Sequence, residues 1–429
     1  MKRQFKRVTI CLMVAGLMLS IVPLSSYAAE LSLWTRVAEV KEGYDWVIAE
    51  YEKRNPHVRI YHRIIDWSRS SEVLLPAFVA GIAPDIVNLA DISLMKDLAR
   101  QDQIMNLDEW YAKYGNRFPA GADIWVQADG SYVAIPTYQI GLVDIYYNKE
   151  LTEKYGIRPT DDWTWSEFVG MLEKVKGLGD IPLIMGNKEG ADGEHFVQSL
   201  LTETIGGSGI MKLLQRTDPD AGPRWTDPKV LQAVQEFEDI HEYMIEGSAA
   251  ISQHAGFLLF SQGKGVFKHD GTYLTSVLAD SPEFDWGWFR FPHMVGEIGE
   301  TRNGGIASYH TVLSVASESQ YKDIALDFLE FFTRPEIIGH AFYGLRRWIP
   351  SVIGALEGYD LSEYEQHMLE FYETCDDNAV WMGVYLPAEV TDVILRGVTS
   401  ISTGSLSATE FCERVEKAHQ EYLREKLQK

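Results

Sequence analysis

Alternating strand and helix patterns near the start of the chain constrain its fold more than any other feature. Residues 31–35 alternate like a strand, apolar residues then recur at helical spacing until Asn55-Pro56, and a second strand pattern covers residues 58–65. A helical stretch at 73–79 and an apolar strand at 86–90 follow. Repeated βα units of this kind predict a mostly parallel sheet that is covered by helices on both faces.

Helical patterns dominate the second half of the chain. Capping pairs predict helices that begin at Thr164 with Glu167 and at Ser407 with Glu410. A proline start signal predicts another at Asp227-Pro228, and an apolar stripe predicts a further helix that contains Ile324, Phe328 and Phe331. The glycine-rich run at 206–209 lacks the Lys and the Ser or Thr of a phosphate loop, which predicts a turn there.

The length of 429 residues exceeds what one hydrophobic core usually supports, which predicts two structural units. Neither an internal repeat nor a low-complexity linker is present. The chain is therefore expected to pass between two lobes through short ordered crossings, as it does at a hinge.

The N-terminus has the pattern of an export signal. Four basic residues precede an uncharged, nearly all apolar run over 8–24, and small residues follow up to Ala28. We predict a signal peptide over 1–28 with cleavage after Ala28; a retained membrane anchor is the alternative. Cys11 follows Ile10 rather than a small residue, which disfavours a lipid anchor. The predicted location is the periplasm, with an extracellular or cell-surface location as the alternative.

Charge and cysteine content narrow the possible partners. The chain has 39 basic and 62 acidic residues, a formal charge of −23, which repels the phosphate backbone of nucleic acids. After cleavage Cys375 and Cys412 remain, either as one disulfide or as two buried thiols.

Motifs of catalysis are mostly missing. The sequence contains no Gly-x-Ser-x-Gly elbow, no His-Glu-x-x-His pair and no Cys-x-x-Cys pair. The many carboxylates leave a secreted glycoside hydrolase open, because its catalytic pair is defined by distance in the fold. Tyr146 and Tyr147 are residues that could bind ferric iron, but no matching set of His and carboxylate ligands accompanies them.

Several short segments occur in a characteristic order along nearly the whole chain after the signal. The most specific is YVAIP at 132–136 followed by YNK at 147–149. The others lie at 31–35, 50–58, 80–86, 104–108, 163–165, 260–267, 270–271, 335–336 and 347–351. In this order and spacing the chain resembles the extracytoplasmic sugar-binding proteins of ABC importers, solute-binding protein family 1, which includes the maltose-binding protein.

The resemblance implies an α/β fold of the two-lobed, type II periplasmic-binding-protein kind, with a ligand cleft between lobes joined by a multi-crossing hinge. It implies a monomer that closes on a carbohydrate, delivers it to ABC transporter permease subunits, and needs no catalytic residue, metal or cofactor. The expected lobes are 29–137 plus 304–343, and 138–303 plus 344–429. In this reading Pro136 ends a strand where the chain leaves the first lobe, and Asn148 begins the next helix.

Candidate ligand contacts lie at strand ends and in segments that match the family. Sugars present C–H faces to aromatic rings and hydroxyls to carboxylates, amides and arginines. Arg36, Asp66, Trp67 and Asp91 follow predicted parallel strands, where side chains reach a cleft. The resemblance adds Tyr138, Gln139, Glu194, Phe196, Asp270 and Tyr273. Trp286 alternates with Trp288 in a predicted strand, where at least one of the two is expected in the core, and Arg346 and Trp348 lie at a predicted lobe crossing. Trp381 and Arg396 are further candidates.

Capture of an oligosaccharide or related solute is the leading hypothesis. A glycoside hydrolase and a binding protein of the same fold for iron or a polyamine are the alternatives. Because Arg36, Arg346 and Arg347 are placed in or near the expected cleft, an acidic sugar also stays open.

Overall fold

The computed structural model describes residues 29–66, 69–119, 123–141, 143–280, 284–296, 299, 304–374 and 377–428. Its strands, in chain order, are β1 Ala29–Thr35, β2 Val58–Ile64, β3 Ile86–Leu89, β4 Gln127–Ala128, β5 Ser131–Tyr132, β6 Ile135–Gly141, β7 Asp144–Asn148, β8 Phe267–Asp270, β9 Trp286–Phe289, β10 Gly304–Val315 and β11 Asp377–Ala379.

The α-helices are α1 Lys41–Arg54, α2 Ser70–Val79, α3 Ile92–Arg100, α4 Asp108–Tyr114, α5 Asp123–Val126, α6 Lys149–Lys154, α7 Trp165–Gly177, α8 Ala191–Leu214, α9 Pro228–Asp239, α10 Gln253–Ser261, α11 Leu274–Asp280, α12 Lys322–Phe332, α13 Pro335–Ile338, α14 Glu363–Thr374, α15 Met382–Tyr385, α16 Ala388–Ile401 and α17 Ala408–Gln428. A π-helical segment spans Gly339–Gly344. Among the described residues, no helix has both the length and the apolar character needed to cross a membrane.

Two sheets organise the α/β fold into two lobes. The large sheet has the order β11-β10-β3-β1-β2, with β6 also paired to β10, and the small sheet has the order β8-β7-β9. The chain passes from the large to the small sheet between Gly141 at the end of β6 and Asp144 at the start of β7. It returns between β9 and the long strand β10, so the two sheets are linked by more than one crossing.

Three of the five strand pairs described for the large sheet are parallel, in agreement with the predicted mostly parallel sheet, but β10 makes the sheet mixed. Strands β1, β2 and β3 are parallel, as the βα pattern predicts. Strand β10 runs antiparallel to both β3 and β6. It arrives from the small sheet rather than through a βα crossover, so the local pattern of the first ninety residues carries no information about its direction.

Most predicted helix starts are confirmed by their hydrogen bonds. Thr164 and Glu167 form a reciprocal capping box at the start of α7. Asn148 caps α6, because its side chain accepts the N–H of Leu151 at 3.0 Å. Ser407 likewise precedes α17, where its hydroxyl accepts the Glu410 N–H at 3.3 Å. These interactions are local, which is why the sequence was sufficient to predict them.

Two local expectations are wrong. Pro136 lies inside β6 rather than at the end of a strand. Strand β6 pairs with β10 on one side, and on the other side Tyr138 forms an isolated bridge with Pro350. Such an edge strand tolerates proline because its outer side needs no continuous row of N–H donors. The run at 206–209 lies within α8, where Gly206 forms a kink at φ 72°. The N–H groups of Gly207 and Ser208 then donate to the Asp377 carboxylate at 2.9 and 2.6 Å, which restarts the helix from a distant residue.

Two large apolar clusters form the cores. One contains β1, α1, α12 and the segment around Phe342, and it also includes Tyr138, Trp348 and Trp381. The other joins α7, α8, α9, α16 and α17 with part of the small sheet, and it includes Cys412, a buried free thiol of the described part of the chain. Cys375 lies outside the described residues.

Candidate functional site

A buried charged triad lies at the end of β8. The Lys268 ammonium is 3.0 Å from Asp192 Oδ2 and 2.7 Å from Asp270 Oδ2, and all three side chains are at most 1 % exposed. Asp192, in the first turn of α8, also accepts the Gly186 N–H at 2.9 Å and the Gln253 side-chain amide at 2.8 Å. The triad therefore ties a strand, a helix start and a loop together.

One ammonium between two carboxylates leaves a net negative charge in the interior. Burial raises the pKa of Asp270 to about 6, and the nearby Asp192 acts in the same direction. Burial alone would lower the pKa of Lys268, but the two carboxylates outweigh it and the net direction is upward. Lys268 is therefore charged at neutral pH, and its charge keeps both carboxylates in place.

A ring cluster of His195, Tyr273 and Trp381 lies next to this triad. The Tyr273 hydroxyl is 3.3 Å from His195 Nδ1 and 3.4 Å from the Gln253 side-chain nitrogen. The Trp381 ring lies 4.1 Å from the His195 ring, and it meets the Tyr273 ring edge-on at 6.3 Å and 88°. Gln253 links the ring cluster to the triad because its amide also donates to Asp192.

Glu194 forms the polar border of the ring cluster. Its Oε1 accepts the Gly383 N–H at 3.0 Å, near the start of α15, and its Oε2 is 3.3 Å from His195 Nε2. Burial raises the pKa of Glu194 to about 7 and lowers that of His195 to about 4. Burial therefore keeps the His195 imidazole neutral at neutral pH, with its two ring nitrogens facing the Glu194 carboxylate and the Tyr273 hydroxyl.

A strand-end cluster of Arg36, Asp91, Tyr138 and Trp348 lies on the large sheet. Asp91 caps α3 by accepting the Leu94 N–H at 2.9 Å. Burial raises the pKa of Asp91 to about 6, although the hydrogen bond from Leu94 and the charge of Arg36 both act to lower it. Tyr138 is fully buried in β6, and its ring packs edge-on against Trp348 at 4.8 Å. The Arg36 charge acts on both Asp91 and Tyr138.

The ring cluster and the strand-end cluster meet at the junction between the lobes. Trp381 belongs to the same buried apolar cluster as Tyr138, and Tyr273 packs against that cluster. Glu39, which follows β1, approaches His254 of α10 with 4.0 Å between Oε1 and Nδ1. The fold therefore brings aromatic rings, carboxylates, an amide and an arginine to one inter-lobe region.

Other predicted contacts lie elsewhere in the structure. Phe196 is fully buried among aromatic core residues, including Phe291 at 5.4 Å, and it does not line the inter-lobe region. Trp286 packs between Tyr146 and Tyr364 on the small sheet. These two aromatic residues therefore act as core packing in this arrangement.

The remaining candidates are exposed, make ion pairs, or have side chains outside the described part. Asp66 is exposed after β2, and Arg346 pairs with Glu42 at 3.7 Å. Arg396 is exposed on α16 and pairs with Asp392. Trp67 lies outside the described residues, and of Gln139 only the backbone, within β6, is described.

Sequence reasoning missed Asp192, His195, Gln253 and Lys268 and gave Trp381 little weight. One signal was present: Lys268 and Asp270 are two residues apart in a strand, so their side chains share one face, while His269 points to the other. The approach of Asp192 and Gln253 had no local signal, because both arrive from other parts of the chain.

The raised pKa of Glu194 predicts a specific pH dependence of stability. Below about pH 4.5 this group is protonated in both the folded and the unfolded state. Between that pH and about 7 only the unfolded state loses the proton, so stability falls as the pH rises. The free energy of unfolding of Glu194→Gln, relative to wild type, is expected to increase by about 3 kcal/mol between pH 4.5 and pH 8.

Urea denaturation at several pH values measures this difference. The matched control is Glu153→Gln at an exposed position on α6, for which the difference from wild type should stay nearly constant. A flat Glu194→Gln difference across the same pH range would show that the Glu194 carboxyl is not desolvated.

Comparisons with known proteins agree with this architecture. A sequence profile of the family described as bacterial extracellular solute-binding protein matches residues 38–337. A multiple sugar-binding protein of Streptococcus mutans is 22% identical over 361 residues, which cover 80% of this chain and 79% of that protein. An arabinooligosaccharide-binding protein of Bacillus subtilis is 22% identical over 356 residues, 76% of each chain.

A solved structure of a chitin oligosaccharide binding protein superposes with a TM-score of 0.82 at 21% identity. The superposition covers 92% of this chain and 99% of that protein. At this level of identity the match establishes the two-lobed fold, and the identity of any ligand has to be argued from the site itself.

Proposed function

Because the chain belongs to the bacterial extracellular solute-binding protein family, we propose that it is the substrate-binding component of an ABC importer. In this proposal it captures a carbohydrate, most suitably an oligosaccharide, and delivers it to the membrane permease. The sugar-binding names of its relatives support this ligand class.

The observation that carries the proposal is the composition of the inter-lobe region. Trp381 and Tyr273 offer two ring faces at nearly a right angle, which suits the C–H faces of pyranose rings. Glu194, His195 and the Gln253 amide lie beside those rings and can exchange hydrogen bonds with hydroxyls. This combination favours a polyhydroxylated, largely uncharged ligand over a metal ion.

The burial of Trp381 supports capture by closure. Its side chain is only 2% exposed, so a ligand reaches the ring only when the two lobes separate. We propose that the lobes comprise 29–137 plus 304–343, and 138–303 plus 344–429, and that the crossings near Gly141 and before β10 form the hinge. Asp66, Trp67 and Asp91 are proposed to complete the site from the first lobe, and Gln139 from the start of the second lobe.

We further propose that residues 1–28 are a cleaved export signal and that the mature protein acts as a periplasmic monomer without enzymatic activity. The basic start and apolar run of the N-terminus support export. The family description is consistent with a location outside the cytoplasm.

A carbohydrate panel tests this function directly. Purified protein is titrated with malto-, xylo-, arabino- and chito-oligosaccharides while tryptophan fluorescence and the melting temperature are recorded. A ligand at one hundred times its Kd should add about 2.7 kcal/mol of stability. Recovered ligand should be chemically intact, because binding alone is proposed. No response to any sugar together with a clear response to a peptide, a polyamine or iron would refute the proposal.

A further inference from the structure

A second cavity, away from the ring cluster, has an unusual charge for this protein. It has a volume of about 310 Å³ and lies between α3, the end of α8 with residues 215–217, residues 385–387 and the C-terminal part of α17. Four basic side chains line it, from Lys96, Arg100, Arg216 and Lys426, and none of the described lining residues is Asp or Glu. The chain has 62 acidic and 39 basic residues, so a cavity in which Lys96, Arg100, Arg216 and Lys426 occur without any acidic residue among the described lining residues is the opposite of what the composition favours. We call this cavity the basic groove.

Two of the four cations are already neutralised. Arg100 makes a bidentate pair with Asp129, at 2.9 and 3.0 Å. Arg216 is buried and donates to Glu416 at 3.0 Å. These arginines hold the walls of the groove in place, because each is committed to a carboxylate outside the lining.

The two lysines make no ion pair among the described residues, although the Asp129 carboxylate acts on both from a longer distance. Lys96 lies over the Tyr385 ring at 5.4 Å, and Lys426 donates to the Tyr422 hydroxyl at 2.7 Å. Neither ammonium has a carboxylate within ion-pair distance among the residues that the structure describes. Both are therefore available to a ligand that enters the groove.

The lysines also repel each other. Burial lowers the pKa of Lys96, and the like charges of Arg100 and Lys426 add to that effect, while Asp129 opposes it. An anion placed between them would turn this repulsion into two attractive contacts.

We propose that the basic groove binds a small oxyanion, with inorganic phosphate as the simplest member, between Lys96 and Lys426. Lysine is suited to phosphate as a compact point charge with three donors. Ser93 and Thr217 also line the groove, and hydroxyl side chains of this kind can donate to an oxyanion.

Such a site connects two parts of the molecule. Helix α3 packs against β3 and β4, whereas α17 packs against α9 and α16. A bound oxyanion would link these elements without touching the ring cluster. The proposal therefore does not depend on the identity of the solute in the main site.

The test compares phosphate with chloride at matched ionic strength. Thermal unfolding and calorimetric titration are carried out at pH 7.5 without sugar. Wild-type protein should bind phosphate and melt at a higher temperature in it. Each of Lys96→Gln and Lys426→Gln should weaken phosphate binding at least about tenfold, since a hydrogen bond to a charged group contributes this much. The double variant should show no phosphate-specific rise.

Lys417→Gln, on the exposed side of α17, is the matched control and should respond like wild type. In chloride the double variant should melt no lower than wild type, because the substitutions remove a repulsion. Sulfate should reproduce the effect of phosphate. The proposal is overturned if wild type responds equally to phosphate and chloride, if the double variant keeps the full phosphate response, or if only a polycarboxylate such as citrate binds.

Discussion

Replacement of Lys268 by methionine is expected to lower the free energy of unfolding by about 3–5 kcal/mol, measured by urea denaturation at pH 7. The side chain is fully buried between Asp192 and Asp270, so methionine fills much of its volume but removes the positive charge. Two desolvated carboxylates then remain without a cation, which is the costly way of breaking a buried ion pair.

The loss should depend on pH. As the pH falls from 7 toward 5, the Asp270 carboxyl, whose pKa burial already raises to about 6 in the wild type, takes up a proton in the variant, which removes its buried charge and reduces the deficit. Adding Asp270→Asn to Lys268→Met should recover part of the stability for the same reason. Lys264→Met, at an exposed position before β8, is the matched control and should change stability by less than about 0.5 kcal/mol. A loss below about 1 kcal/mol for Lys268→Met would mean that the triad is hydrated.

Trp381→Ala is expected to weaken carbohydrate binding at least about a hundredfold, a loss of about 2.7 kcal/mol. The Trp381 ring lies at the centre of the inter-lobe region, against His195 and Tyr273, where a ligand would be fully removed from water. Trp381→Phe keeps an aromatic face and should lose much less. Titration calorimetry with the best sugar of the panel measures both.

Two controls separate binding from folding. Trp46 lies on α1, packs against His340 and is not part of the ring cluster. Trp46→Ala should therefore leave the affinity for the sugar unchanged. Circular dichroism confirms that Trp381→Ala is folded at the temperature of the titration, because losing a buried ring also costs stability. If wild type binds a sugar and Trp381→Ala binds it equally well, the ring cluster is not the binding site.

Local patterns predicted the elements of this fold well. The strands at β1, β2 and β3 and the caps at Thr164 and Asn148 rest on interactions between residues close in the chain. The direction of β10 and the kink at Gly206 were not predictable in this way. Both depend on partners more than one hundred and fifty residues away, namely β3 for the strand and Asp377 for the kink.

The residues of the candidate site also fall into two groups, those that a local pattern predicted and those that only tertiary packing decided. Arg36 and Asp91 were placed correctly at the ends of parallel strands, because strand ends follow from a local pattern. On α8 the family resemblance singled out both Glu194 and Phe196, but their side chains diverge: Glu194 borders the ring cluster and Phe196 enters the core. One helix turn has several faces, and only the packing of the neighbouring elements decides which face meets the cleft.

By itself the sequence determined the helix starts, because capping and periodicity act within a few residues. It also determined the family, and with it the two-lobed α/β fold class, because the order of the motifs survives at low sequence identity. The tertiary structure alone decided which polar groups are buried together. Lys268 meets Asp192 across 76 residues, Glu194 meets Gly383 across 189, and Lys96 and Lys426 line one groove although they lie far apart in the chain. The charge states and the ligand chemistry of both sites follow from those long-range contacts, since burial and neighbouring charges arise only when distant segments pack.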